Sequence, residues 1–498
     1  MAPAWRNPTD VLAAFLAFEE REQLFEHSAL GVAYWQLIRH DVFRETLEAL
    51  GLGAQAHLRL EQLPVVTWLG PQLRQLPTTL LRSQLFRASR ADLLVATHPR
   101  WLPHQGRFMC PYSQPLLWGT SRSRLLLTGH YQGRYFSPDA GELTRYVDLS
   151  LALAHAQFRV RELLGQGLGA KTEREVHELT HRLATQLGAA PKPRDVLRRA
   201  RTAVLSQLGL TPHLDRLLDQ VQPRLVVNVV GYRLVHQLLT LRARARGIPV
   251  AELQHGTIGP GHAAYNFSPE RRPPSFPDYL LTFGDVFRTI TPRLPLPAAN
   301  VRAIGYGWLA LQQSAYPAVA RSSGPRRVLF ISQRDIGPEL SQLAAAVFAR
   351  LPKGQFEFVY RLHPSEGQGW RERYPSLANS SIRVEEAQAR ALYAAQAEAD
   401  VQVGVYSTAL MEGIAFGLDT VLVDLPGNDQ LAFLVEQNLA RRADDATSLT
   451  NLLQAPRLGV ATQTDQLWAP DPARRFADFV EEVLHKKGDV AVSGAASG

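Results

Sequence analysis

At 498 residues, with 45% hydrophobic and 20% charged side chains, the chain is too long for one hydrophobic core and too apolar for a disordered or fibrous protein. Lys plus Arg exceed Asp plus Glu by 54 − 46 = 8, which suits an anionic partner, but the basic residues are scattered, with modest clusters at 194–201 and 242–246, and do not describe a nucleic-acid groove. Cys110 is the single cysteine, which excludes an intrachain disulfide and a cysteine zinc cluster; no run of 18 apolar residues and no apolar leader at 1–7 is present, so the expectation is a cytoplasmic protein, soluble or peripheral to the membrane.

Apolar positions recur at helical spacing through 11–18 and 33–42, predicting a helical N-terminal segment over 1–60. Short apolar runs at 64–69, 91–97 and 125–135, broken by Pro and Gly, predict strands. Helical patterns at 144–164, 172–187 and 196–208 form an insertion in a domain expected to span 61–315. Strand 224–230, helix 233–246 and strand 248–254 then make a βαβ unit, which implies a parallel sheet; strands at 279–283 and 301–304, with a helix between them, extend it. Pro317, Ser322, Ser323, Gly324 and Pro325 mark a linker. A second series follows over 316–470, with strands at 327–332, 357–362, 401–405 and 420–425 and helices at 339–351, 387–397, 409–416 and 431–438. Residues 471–487 predict a last helix returning to the first domain, and the small, polar 488–498 a disordered tail. The expected fold class is α/β, with two Rossmann-like parallel-sheet domains whose strand ends face a cleft, the usual ligand location in such sheets.

Three features sit at predicted strand ends. His255 begins a glycine-rich loop after strand 248–254, where an imidazole at a sheet edge could act as a general base or hold an acceptor; Glu252, His262 and Asp285 are possible partners. His363 is held extended by Pro364 and could donate to a phosphate oxygen or, protonated, stabilise a leaving phosphate. Arg361, two residues earlier on the same face of the strand, would add positive charge to the donor site. Ser407 and Thr408 open a helix, where hydroxyls and free N–H groups bind phosphate, although N-capping alone would also explain them; Glu412, one turn on, has no capping-box duty and could accept from ribose hydroxyls. Gln333, with Arg334 and Gly337, could add loop donors, and the glycines at 305 and 307 a hinge. His98, before Pro99, reads as structural, and Asp215, Asp219 and Glu366 as solvated.

The order of a His-Gly loop at 255–256, Arg-x-His-Pro at 361–364, then Ser407-Thr408 with Glu412 downstream resembles bacterial capsule and wall-polymer glycosyltransferases of the GT-B fold, including teichoic-acid glycerophosphotransferases and bacterial sialyl- and polysialyltransferases. The resemblance covers residues 220–430, and residues 31–39 also look like the entry segment of some capsule-synthesis proteins. It implies that His363, Ser407 and Thr408 bind the donor phosphates, that Glu412 meets the ribose and that His255 works near the acceptor. An acidic first-domain base, usual in the sialyltransferases, has no matching motif here. The implied activity is inverting, metal-independent transfer of a sugar or polyol phosphate from a pyrimidine-nucleotide donor to a glycan or lipid-linked acceptor, with no cofactor. Basic charge and the N-terminal amphipathic helices would help it reach such an acceptor at the inner membrane face, and aromatics that do not interleave with basic residues speak against nucleic acid. The alternatives are a sugar-nucleotide epimerase of the same shape and a non-catalytic polysaccharide-assembly protein.

Overall fold

The structure, a computed structural model, describes residues 5, 7–52, 88–129, 143–164, 168–269, 271–317, 324–458 and 464–495. The expected strand at 64–69 and the end of the run at 125–135 lie outside these. Two compact units divide the chain: unit 1 holds residues 1–282, 287–307 and 471–498, and unit 2 holds 283–286 and 308–470. The chain therefore leaves unit 1 at Gly307, before the expected linker, because the helix Gly307–Ala315 packs almost wholly as part of unit 2.

Unit 1 is built on seven parallel strands: β1 (Leu93–Ala96), β2 (Arg124–Thr128), β3 (Leu143–Tyr146), β4 (Leu225–Val229), β5 (Val250–Leu253), β6 (Tyr279–Thr282) and β7 (Val301–Ala303). Their spatial order is β7-β6-β5-β4-β1-β2-β3. The sheet is covered on both faces, which explains why Leu93–Ala96 and Leu225–Val229 are buried throughout rather than alternating. Leu94 and Ala96 point to one core and Leu93 and Val95 to the other.

The first core includes helices α1 (Pro8–Arg21), α2 (Trp35–Ala49), α3 (Gly169–Leu187), α4 (Pro193–Val221) and α5 (Leu234–Arg244). The N-terminal segment is thus part of unit 1 and not a separate extension. Val11, Leu12, Phe15 and Leu16 of α1 are buried in that core. Arg39 of α2 pairs with Glu19 of α1 at 2.8 Å and also donates to the carbonyls of Ala263 and Asn266, tying both helices to the loop after β5. A buried pair is stable only when such extra hydrogen bonds offset its desolvation.

Unit 2 carries β8 (Arg326–Ile331), β9 (Phe356–Arg361), β10 (Arg383–Glu385), β11 (Val401–Gly404), β12 (Asp419–Val423) and β13 (Arg441–Ala443), all parallel, in the order β10-β9-β8-β11-β12-β13. Helices α6 (Gly337–Arg350) and α7 (Thr408–Ala415) follow β8 and β11. The amide nitrogen of buried Gln402 donates to Leu410 O at 2.6 Å and Thr420 Oγ1 at 2.8 Å. The last helix of the chain, α8 (Pro472–Ala495), belongs to unit 1 and buries Phe476, Val480 and Leu484 in its second core.

Both sheets are doubly wound with the same connectivity: the first strand of each lies centrally, the next two go one way and the fourth onward go the other. The α/β class with two Rossmann-like parallel sheets is what the sequence pattern leads one to expect. Several details differ. Residues 143–146 form edge strand β3 where a helix was expected to start at 144, and the helix begins only at Asp148. Edge strands β10 and β13 are three residues each, too short to show a period. The helix expected at 387–397 is Leu392–Glu398, and that between β6 and β7 shrinks to Val286–Thr289. Helix α8 runs on through the expected tail to Ala495, since no proline interrupts it and an existing helix gains a hydrogen bond with each residue added.

Candidate functional site

A doubly wound sheet opens a crevice where its strand order reverses, at the carboxyl ends of the two strands that part there. In unit 1 these are β1 and β4, followed by Thr97-His98 and by Val230-Gly231-Tyr232-Arg233. Val230 adopts φ +65°, a left-handed conformation that a β-branched residue rarely holds, and its carbonyl accepts from Arg233 N at 3.0 Å to close the turn into α5. Gly231 is required by Glu252: a Cβ there would lie 2.2 Å from Glu252 Oε2. Glu252, on β5, accepts from Gly231 N–H at 2.8 Å and from the Tyr265 hydroxyl at 2.7 Å, both at Oε1. Burial pushes its carboxyl up to about 7, against the opposing pull of those two donors.

His255, just beyond β5, joins this crevice. Its Nε2 lies 3.0 Å from the Tyr232 hydroxyl, and its Nδ1 is buried without a hydrogen bond. Tyr232 is itself held by Gln237, whose amide donates to its carbonyl at 2.9 Å. The His98 ring is 5.8 Å from that of His255, and Tyr112 lies against both. His40 and His262 stack at 5.1 Å and flank Tyr232 on its other side. His236, in the first turn of α5, approaches the Ala96 and Thr97 carbonyls without a hydrogen bond to either.

All five imidazoles are held neutral. Burial is the main cause, and the neighbouring rings and arginines add to it, pushing His255 down to about 3, His236 to about 3, His262 to about 4 and His98 to about 2; His40 also lies well below the usual range. A small cavity behind Tyr232 is lined by Gln36, Arg39, His40, Glu252 and Ser275.

In unit 2 the strands that part are β8 and β11. Gln333, past β8, accepts from Tyr406 N–H at 3.4 Å, so the loops after both strands are joined at the crevice. Ser407 caps α7, accepting from Ala409 N–H at 3.3 Å, while Thr408 is exposed at the first helical position and Glu412 is half-buried one turn on. Four residues apart, Thr408 and Glu412 share a face of α7.

His363 follows β9 and is exposed. Its Nδ1 accepts from Ser365 N–H at 3.2 Å and lies 2.7 Å from Ser365 Oγ. A backbone N–H can only donate, so Nδ1 is unprotonated and the neutral ring carries its proton on Nε2. Partial desolvation by the surrounding turn lowers this histidine's pKa, with Glu366 and Asp335 pulling it back up.

Three residues stand differently from the sequence reading. Arg361 is buried, and its guanidinium is engaged by Glu385 at 3.4 Å, Ala387 O at 3.2 Å and Arg390 O at 2.7 Å, since β10 lies next to β9 and presents Glu385 in register with it. Glu366 is fully buried rather than solvated, with Ser332, Tyr374 and the His363 N–H all donating to it. His98 stands in the unit 1 crevice beside His255, because β1 is the central strand of its sheet. The strand order that gives Glu252, Tyr232 and His98 their places is not visible in any local motif.

Among the described residues, no group of three or more His, Cys, Asp or Glu side chains is arranged to hold a metal ion, and no helix is long and apolar enough to cross a membrane.

No family model matches the chain, and no curated protein matches it in sequence. Similar solved structures include the UDP-GlcNAc 2-epimerase of Neisseria meningitidis bound to UDP-GlcNAc, at 10% identity over 79% of this chain and 99% of that one, with a TM-score of 0.46. The UDP-GlcNAc 2-epimerase of Methanocaldococcus jannaschii is similar at 10% identity over 79% and 99%, TM-score 0.47. So is the glycosyltransferase SnogD of Streptomyces nogalater, at 17% identity over 82% and 100%, TM-score 0.39. The likeness is one of α/β fold and does not extend to activity.

Proposed function

We propose that this protein is an inverting, metal-independent glycosyltransferase that moves a sugar, or a polyol phosphate, from a nucleotide-activated donor to a surface polysaccharide or lipid-linked glycan. The observation that carries the reading is the carboxyl edge of the unit 2 sheet: an Nε2–H on exposed His363 after β9, the N-terminus of α7 after β11 with Thr408 exposed, and Glu412 on the same helical face. A neutral N–H donor and a helix N-terminus suit phosphate oxygens, and a carboxylate one turn in suits ribose hydroxyls. In this reading Ser407 acts by holding the first turn of α7, and Gln333 by fixing the Tyr406 turn beside it.

His255 then serves better as a neutral hydrogen-bonding group for an acceptor than as the base. An imidazole pushed down to about 3 has little proton affinity at neutral pH, whereas a general base works best with a pKa near the working pH. The apolar faces of α1 and α2 are used in the unit 1 core, so contact with an anionic membrane would rest on surface charge; absence of binding to anionic liposomes at low salt removes that part of the proposal.

A thermal-shift screen with CMP, CDP, UDP and GDP tests the donor site. A nucleotide at 100 times its dissociation constant stabilises by about 2.7 kcal/mol, and the absence of any shift refutes the assignment of His363, Thr408 and Glu412. Glu252, a carboxyl pushed up to about 7 beside a cavity, supports a second reading, a sugar-nucleotide epimerase acting on the donor alone. Incubation with nucleotide-sugars and no acceptor separates the two, since only an epimerase converts them.

A further inference from the structure

We propose that Glu366 is the positioning residue of the His363 site: its buried carboxylate fixes the turn that aims the Nε2–H of His363 at an anionic ligand oxygen. The inference rests on the donor-site reading above for the identity of that oxygen, and on geometry alone for the rest.

The turn 363–366 is closed by Glu366 N–H donating to His363 O at 2.9 Å, and its carboxylate returns the contact by accepting from His363 N–H through Oε2. Oε1 accepts from Ser332 Oγ at 3.0 Å and from the Tyr374 hydroxyl. One fully buried side chain therefore joins the end of β8, the turn after β9 and the short helix Pro375–Ala378, which starts next to Tyr374. Gly337, the first residue of α6, belongs to the same arrangement: a Cβ there would lie 2.3 Å from the Tyr374 hydroxyl and 2.6 Å from Glu366 Oε1. Arg373 donates to the Glu366 carbonyl and holds the far side of the turn.

The chemical consequence falls on His363. Only with the turn closed does Ser365 N–H reach Nδ1, at 3.2 Å, and that bond places the ring proton on Nε2. Without an acceptor at 366, three donors converge on an empty site, the turn is released, and His363 loses the bond that excludes its Nδ1–H tautomer. Glutamine at 366 keeps an acceptor for His363 N–H and offers an amide to the two hydroxyls, which can accept as well as donate.

The test uses the full chain labelled with 15N-histidine, with the His363 ring signals assigned from a His363→Gln sample. The native protein is expected to show the Nε2–H tautomer, Glu366→Gln to keep it, and Glu366→Ala to show mixed tautomers. Inorganic pyrophosphate, titrated calorimetrically, is expected to bind Glu366→Ala at least tenfold more weakly than the native protein, with Glu366→Gln within about threefold. Tyr374→Phe, which removes one donor and leaves the turn, supplies an intermediate case if Glu366→Ala does not fold; it should show a partial rise in the second tautomer. A folded Glu366→Ala that keeps the native tautomer, or a Tyr374→Phe that leaves it untouched when Glu366→Ala cannot be made, overturns the inference. If the native protein binds neither pyrophosphate nor any nucleotide, the donor-site reading fails, while the tautomer comparison still decides the role of Glu366.

Discussion

Lowering the pH from 7 to 5.5 should destabilise unit 1 selectively and steeply. Five histidines, His40, His98, His236, His255 and His262, are kept neutral in the folded state, mainly by burial. In the unfolded chain each takes up a proton near pH 6.5, so their contribution to stability is complete above that value and is lost as the pH falls towards the folded pKa values. Over this interval each ring costs about 1 kcal/mol. Glu252 works in the opposite sense: with its folded pKa raised to about 7, it favours the folded state below the unfolded carboxyl range and loses that contribution as the pH rises through 7. Acidification to 5.5 therefore recovers about 1.5 kcal/mol from Glu252 and leaves a net loss of about 4 kcal/mol, an upper bound because solvent reaches the edges of several rings. Urea unfolding at the two pH values, followed by amide exchange in β4 and β5 after correction for intrinsic rates, measures the loss. Potentiometry provides an independent check: unfolding at pH 5.5 should take up about four protons from this cluster. Uptake of less than one proton, with unchanged exchange in β4 and β5, would refute the neutral-histidine description.

Gly231→Ala should lower stability by about 1–3 kcal/mol, read as a fall in the urea midpoint, because its Cβ meets a carboxylate that cannot withdraw without losing Tyr265. Arg39→Met leaves Glu19 buried with only Trp35 Nε1, at 2.7 Å, to satisfy it; chemical denaturation should show a loss of about 3–5 kcal/mol. Tyr232→Phe removes the partner of His255 Nε2 at about 1 kcal/mol in stability, and turnover should fall much further than that if the ring orientation matters. Ser407→Ala should cost about 1 kcal/mol and Ser407→Gly only a few tenths, the signature of an N-cap; an equal tenfold loss of nucleotide affinity in both would instead make the hydroxyl a ligand.

Much of the architecture is legible in the chain because parallel strands buried on both faces are mostly apolar, and 225–229, 250–253, 356–361 and 401–404 read that way although Asn228, Glu252, Glu357 and Gln402 interrupt them. The edge strands at 143–146, 383–385 and 441–443 escape because three or four residues carry no period. Histidines at strand ends stand out equally, since His255 and His363 each follow an apolar run directly. What surrounds them does not. Glu366 looks like a solvated loop residue until the fold brings Ser332 from 34 positions away and Tyr374 from the junction of the next two short helices. His98 looks structural until β1 takes the centre of its sheet beside β4.

The sequence by itself determined that this is a chain of parallel α/β units with imidazoles and a Ser-Thr helix start at strand ends, because burial and helix geometry write local periods. The tertiary structure alone decided which of those groups meet: it placed the neutral rings of His40, His255 and His262 around Tyr232, committed Arg361 to Glu385 and hid Glu366 beneath His363. Strand order and burial arise from contacts between distant segments, and no local period records them.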